Sequence, residues 1–316
     1  MPAIIKLTHL TRLAIDSGHK GFFLLYPVMN FKKTDAYKTV HYDKVAMAWQ
    51  YIFGAQFHFG YFTKPRMSLE EATLALNDAL LDLGKPDKDS HILDVGCGIG
   101  SPAFYINEKF GCSVVGISTS SIGVELANAT AQKKNLRGQV RFLVADGTDN
   151  QLPADRFDIV WLMESSHTMK NKHRLFEACF RTLKPGGQLL LGDVMSHTGF
   201  TLSCHFRCLC QWGSRHVIGL IKMKKTFGPG WSESFHFYTN VLRKTGYQNI
   251  IVKDVGEYVG PTFACWKKNA AVYEKEIRQF FTKRQLNDFL FSTELLEDWY
   301  RSGVMRYGLI CADKPC

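Results

Sequence analysis

This sequence predicts an α/β fold built on a doubly wound, Rossmann-like parallel sheet, and three observations predict it. Five short apolar runs recur after residue 90: HILDVG, SVVGIS, VRFLVAD, FDIVWLM and QLLLGDV. Segments with helical spacing alternate with them, among them SSIGVELANATAQKKN and KHRLFEACFRTL. A glycine-rich turn, DVGCGIGSP, joins the first run to the first of these helices. Near-continuous apolar runs suit strands covered on both faces, and strict alternation with helices places them in one parallel sheet. Right-handed crossovers then bring the loops at the carboxyl ends of the strands to one edge, where ligands bind.

The remaining elements follow in chain order. Residues 1–80 read as a helical cap. DKVAMAWQYIFG and SLEEATLALNDALLDLG carry the helix period, the latter opening on a Ser68/Glu71 capping box and stopping at Gly84. Residues 81–197 form the ligand-binding core. Residues 198–245 break the rhythm with a helical, aromatic and basic segment, read as a lid over the substrate. Residues 246–316 return to the sheet with NIIVKDV and MRYGLICAD, flanking a long helical insertion, which suits an antiparallel edge.

Composition narrows the function classes. The 316 residues carry 39 basic and 29 acidic side chains, a net charge of +10, but no block of five or six cations marks a nucleic-acid stripe. No run reaches the length of a membrane span. Nine cysteines, an odd number, fit free thiols in a reducing cytoplasm. Cys204, Cys208 and Cys210 beside His205 lack paired zinc spacing and read as packing residues, so no metal site is expected from the chain itself.

The chemistry sits at the strand ends. Gly96, Gly98 and Gly100 allow a tight turn and close backbone approach, and Ser101-Pro102 offers a capping hydroxyl and a first-turn proline. A dinucleotide site would want a third glycine where Ser101 stands and an acid where Ser118 stands, so a nicotinamide enzyme is disfavoured. The fourth run ends in LMESSH, not in the Asn/Asp-Pro-Pro-Tyr of amino-directed nucleic-acid enzymes.

LDVGCGIG, VADGTDNQLPADRFDIVW and RTLKPGGQLLLGDV, in this order and spacing, resemble the class I S-adenosylmethionine-dependent methyltransferases, which have a seven-stranded sheet. YDKVAMAWQYIFGAQFHFGYF resembles the matching segment of the sterol, tocopherol and related small-molecule subgroup. The resemblance spans roughly residues 40–316. It implies that Gly96, Gly98 and Gly100 border the amino-acid part of the cofactor. It implies too that Asp94 orders that loop and the cofactor amino group, and that Asp146, with Gly147, meets the adenine. Ser118 and Thr119 match the variant that lacks the ribose acid. Tyr42, Trp49, Tyr51, His58 and Tyr61 would belong to a segment closing over the cofactor. The subgroup often has Glu and then His four residues later; here His167 follows Glu164 by three.

The lid composition suggests the acceptor. Aromatics such as Phe53 and Phe57 line the expected pocket, and Arg207, Arg215 and Lys222 are interleaved with aromatics in the lid. An aromatic cavity with a cationic rim suits a prenyl chain bearing a diphosphate. The pattern is similar to bacterial terpenoid-modifying members, including farnesyl diphosphate C-methyltransferases of the sodorifen type. Methylation of a double-bond carbon creates a cation, which aromatic faces stabilise and a base then deprotonates. Glu164, His167, Asp193, His197 and Tyr51 are the candidate catalytic residues; Trp49, Phe53, Phe57, His58 and the three lid cations are the candidate substrate contacts. Mg²⁺ would enter only with a diphosphate substrate. O-, N- or C-methylation of a sterol, phenolic or other natural-product small molecule, nucleic-acid methylation, and a non-catalytic binding protein on the same fold are the competing readings.

Overall fold

A computed structural model of the chain describes residues 47–149, 151–197 and 208–316. Tyr42, Arg207, Cys204 and His205 lie outside the described residues. One seven-stranded sheet has the order β3-β2-β1-β4-β5-β7-β6. Its strands are β1 (His91–Val95), β2 (Ser113–Ser118), β3 (Val140–Val144), β4 (Phe157–Met163), β5 (Leu183–Ser196), β6 (Gln248–Asp254) and β7 (Met305–Asp313). The first five pair in parallel, while β7 runs antiparallel to both β5 and β6. The order reverses at β1, whose neighbours are β2 and β4, so the crevice beyond its carboxyl end is the expected ligand position.

A first helical segment, α1, occupies 47–53. It is followed by α2 (Leu69–Gly84), α3 (Ser101–Phe110), α4 (Ser121–Lys133) and α5 (Lys172–Thr182). The Ser68/Glu71 capping box forms as the spacing requires, but the left-handed residue that ends α2 is Lys85, one past the glycine. α2 buries Leu76, Leu80 and Leu81. A Cβ on Gly84 would strike Leu190 of β5, and Leu80 lies against Gly192 of the same strand. The apolar stripe of α2 thus covers the sheet.

The second half adds α6 (208–212), α7 (Ser214–Thr226), α8 (Phe235–Thr245), α9 (Gly256–Val259), α10 (Pro261–Val272), α11 (Glu274–Ile277) and α12 (Lys283–Arg301). α9 to α12 are the insertion between β6 and β7. An aromatic core joins them to α1 and α7: Phe53 lies 4.5 Å from Trp266 and 6.2 Å from Phe289, and Phe227 lies 5.9 Å from Phe289. Asn269 of α10 donates to the Ile52 carbonyl at 2.9 Å, satisfying an end of α1. No helix among the described residues is long and apolar enough to cross a membrane.

Candidate active site

The strand ends, together with Trp49, Phe57 and the lid residue Pro229, line a cavity of about 360 Å³. After β1 its wall is Gly96, Gly98 and Ile99. After β2 come Ser118, Thr119 and Ser120, and after β3 come Asp146 and Gly147. After β4 come Glu164, Ser165 and Thr168 to Asn171, with Arg174 of α5. Trp49, Phe57 and Pro229 close it from the helical side.

The glycine loop is shaped by the backbone. Gly96, Gly98 and Gly100 all have positive φ, at 88°, 54° and 85°. A Cβ on Gly96 would sit 2.3 Å from the Ser165 Cβ, whereas one on Gly98 would meet nothing within 4 Å and would point into open space. Gly100, not Ser101, is the N-cap of α3, and no side chain caps that end. Ser165 donates to the Val95 carbonyl at 2.6 Å and pins the β4 loop to the end of β1.

Below this loop Asp94 is buried, and its Oδ2 has no hydrogen-bond partner among the described residues. Burial pushes its carboxyl up to about 7. An orphaned carboxylate oxygen beside an open glycine loop fits a cationic amino group. Asp146 accepts from the Thr148 amide and hydroxyl, both at 2.8 Å and both on Oδ1. Ser120 caps α4 by accepting from Gly123 at 3.0 Å, and Ser118 accepts from the Ser120 amide at 3.2 Å. The two hydroxyls thereby fix the turn where a ribose acid would otherwise stand.

Residues 93–191 match the model of the family described as "Methyltransferase domain". The chain is 27% identical over 288 residues to the chloroplastic tocopherol O-methyltransferase of Arabidopsis thaliana, covering 87% of this chain and 80% of that protein. It is 29% identical over 277 residues to the 27-O-demethylrifamycin SV methyltransferase of Amycolatopsis mediterranei, covering 87% and 95%. The chain is a class I S-adenosylmethionine-dependent methyltransferase. A solved geranyl diphosphate methyltransferase, in complex with GPP and sinefungin, shares the fold of this methyltransferase. Its TM-score is 0.66 at 18% identity, with 87% of this chain and 97% of that chain covered.

The donor set fits the cofactor. Asp94 would meet the amino group, and Gly96 and Gly98 on the wall would border the methionine part, whereas Gly100 turns toward the Phe142 ring. Ser118 and Thr119 suit the ribose, and Asp146 with Gly147 the adenine. S-adenosylmethionine supplies an electrophilic sulfonium methyl.

The candidate catalytic side chains separate into three groups. Glu164 is on the wall, in a left-handed conformation at φ 47°, an uncommon backbone state for a residue other than glycine. Its Oε1 accepts from the Phe59 amide at 2.7 Å and from the Tyr307 hydroxyl at 2.9 Å. Burial raises its carboxyl to about 8 against the pull of those two donors, with the nearby Asp193 charge adding to the rise. Both donors fall on Oε1, which leaves Oε2 engaged by none of the described residues.

His167 and Asp193 form a second group behind the wall. The imidazole Nδ1 lies 2.6 Å from Asp193 Oδ1, while Ser166 and the His167 amide donate to Oδ2. Burial alone would raise the Asp193 carboxyl, but His167 beside it and these donors hold it below the ordinary carboxylate value. Thr168 occupies the wall in place of the offset histidine. Its hydroxyl donates to the Ser165 carbonyl at 2.8 Å.

The third group lies off the wall. His197 is exposed beyond β5. Tyr51 packs on Tyr273 and Phe280 at 5.8 and 6.5 Å.

Among the described substrate candidates, Trp49 and Phe57 reach the cavity and the others do not. Phe53 is part of the aromatic core. His58 is buried with Nδ1 2.8 Å from the Phe59 carbonyl, and burial lowers its pKa to about 4. Arg215 and Lys222 do not form a rim. They bind α12 through Asp298 and Asp288, both at 2.6 Å, and pack on Phe291. The cations on the wall are Lys170 and Arg174, which the reading of the lid missed. Lys170 lies in the loop that follows β4 and Arg174 in the first turn of α5, and no motif in the sequence marks either.

Proposed function

We propose that this methyltransferase adds a methyl group to a double-bond carbon of an isoprenoid chain, with a prenyl diphosphate such as farnesyl diphosphate as the best acceptor. The observation that carries the reading is Glu164: a half-buried carboxyl that desolvation raises to about 8, on the cavity wall that also holds Trp49 and Phe57. A carboxylate with so high a pKa is a much stronger base than an ordinary one. Methylation leaves a carbocation whose neighbouring C–H proton is readily lost, and Glu164 in its ionised form would take that proton through Oε2, which no described residue engages.

Trp49 and Phe57 present aromatic rings to the same space, and rings of this kind stabilise a developing cation. Excluding water protects such a cation from capture. The lid residues contribute here, since Pro229 borders the cavity and Phe227 packs at 6.5 Å from Trp49. Lys170 and Arg174 are exposed at the wall and enter no ion pair among the described residues, so they are the groups that would meet a diphosphate. The similarity to a geranyl diphosphate methyltransferase supports the same acceptor class.

The test is incubation with methyl-labelled S-adenosylmethionine and a panel of prenyl diphosphates, sterols and phenols. Label in a prenyl diphosphate is the expected result. Label in a phenol or sterol alone rejects the acceptor. Glu164→Gln is expected to lower turnover by about a hundredfold or more, within the range of a lost general base. A variant that keeps wild-type turnover removes Glu164 from the mechanism.

A further inference from the structure

Helix α7 has two unlike faces. The inward face carries His216, Gly219 and Thr226, all buried. A Cβ on Gly219 would lie 1.9 Å from the Leu295 Cδ2 of α12, so the two helices approach closely. Arg215 and Lys222 fasten the flanks of this face to Asp298 and Asp288 of α12. The outward face carries Val217, Ile218 and Ile221, which are 46%, 45% and 53% exposed, and Leu209 of α6, 40% exposed, precedes them. Isolated exposed apolar residues are ordinary on a protein surface, but these three share an arc of roughly 100° on one helix. Lys224 and Lys225 lie on the same arc, one turn further on, and are exposed.

Charge selects what covers such a face. From Val194 to Ser232 the sequence holds no aspartate or glutamate, while Arg207, Arg215, Lys222, Lys224 and Lys225 all fall there. Apolar side chains flanked by lysines, without a carboxylate, complement an anionic lipid surface: the apolar residues enter the acyl boundary and the lysines reach the headgroups. An acid-free face would repel its own copy and makes a second chain a poor occupant. The net charge of +10 adds long-range attraction to the same partner.

We infer that the outward face of α7 is a docking surface for an anionic membrane, held rigid by α12. The helix leads directly to the cavity, since Phe227 follows it against Trp49 and Pro229 is on the wall. Docking there brings the active-site mouth close to the source of a lipophilic acceptor. The inference stands on this face and does not depend on which acceptor is methylated.

Co-sedimentation of the full chain with phosphatidylcholine vesicles, with and without phosphatidylglycerol, tests it. Binding is expected to the anionic vesicles, weakening with salt. Ile218→Asp with Ile221→Asp, and separately Lys224→Glu with Lys225→Glu, are each expected to reduce it by about tenfold or more. Both pairs are expected to keep wild-type affinity for S-adenosylhomocysteine, which shows that the fold is retained. The lysine pair leaves the apolar face intact and covers the case in which the aspartates unfold α7. No binding to anionic vesicles overturns the inference, as does binding that neither pair changes. Self-association that the isoleucine substitutions abolish assigns the face to a second copy and also overturns it.

Discussion

Asp94 and His58, which are buried, and Glu164, which is half-buried, push the protein's pH behaviour in opposite directions. Burial raises Asp94 from 3.8 to about 7 and Glu164 from 4.5 to about 8, so the folded chain keeps these protons where the unfolded chain has lost them. The stability from keeping them neutral is present at acid pH and is lost as pH rises through these folded values. His58 falls from 6.5 to about 4, so its contribution is present when neutral and is lost as pH drops through that window. Between about pH 6.5 and 8 the carboxyls dominate, and the unliganded protein is expected to lose stability as pH rises. Glu164→Gln should remove a large part of that loss, on the order of a few kcal/mol, measured by urea unfolding at the two ends of this range. Cofactor binding should reverse the sign at Asp94, because a cationic amino group favours its ionised form. Calorimetry in buffers of differing ionisation enthalpy should therefore show proton release on binding S-adenosylhomocysteine below about pH 7. Asp94→Asn should abolish that release and weaken binding by about ten- to a hundredfold.

The loop after β1 and the α7–α12 pair differ in how much the sequence reveals of them. The loop is local: its glycines, their positive φ and the strand before them are all contained in ten residues, so its position and ligand class were legible. Gly98→Ala is the informative substitution there. It meets no protein atom within 4 Å, yet it strains the backbone and fills the cradle. Binding of S-adenosylhomocysteine should fall by about tenfold or more while the unfolding temperature moves by only a few degrees. α7 is the opposite case. Its periodicity and charge were legible, but the partners of Arg215 and Lys222 lie more than 60 residues on, in α12, and nothing in the lid sequence announces them. Removing both cations with glutamine should cost at most about 1 kcal/mol each, since the pairs are partly exposed. The acceptor KM should stay within about twofold, whereas Arg174→Gln should raise it for a phosphorylated acceptor.

At the scale of the whole molecule, parallel order, an antiparallel edge and a crevice beside β1 follow from the alternation of strands and helices, and they decide where chemistry sits. The catalytic detail did not follow from that pattern. Glu164 was identifiable as a strand-end acid, but its raised pKa depends on Phe59, Tyr307 and Asp193, which come from distant parts of the chain. His167 looked like a shifted catalytic histidine, and its pairing with Asp193 explains the shift: the ring is turned behind the wall and Thr168 takes the open position. The cavity wall thus carries Glu164, with its raised pKa, together with Trp49 and Phe57. Carbon methylation with Glu164 as the base is the central proposal. Carbon-13 NMR of the product formed from methyl-labelled S-adenosylmethionine and farnesyl diphosphate tests it most directly. The expected spectrum has the label as a methyl bonded to carbon in a product that has lost a proton, and no such signal with Glu164→Gln. A label bonded to oxygen, or an unchanged carbon-methyl signal in the glutamine variant, contradicts it.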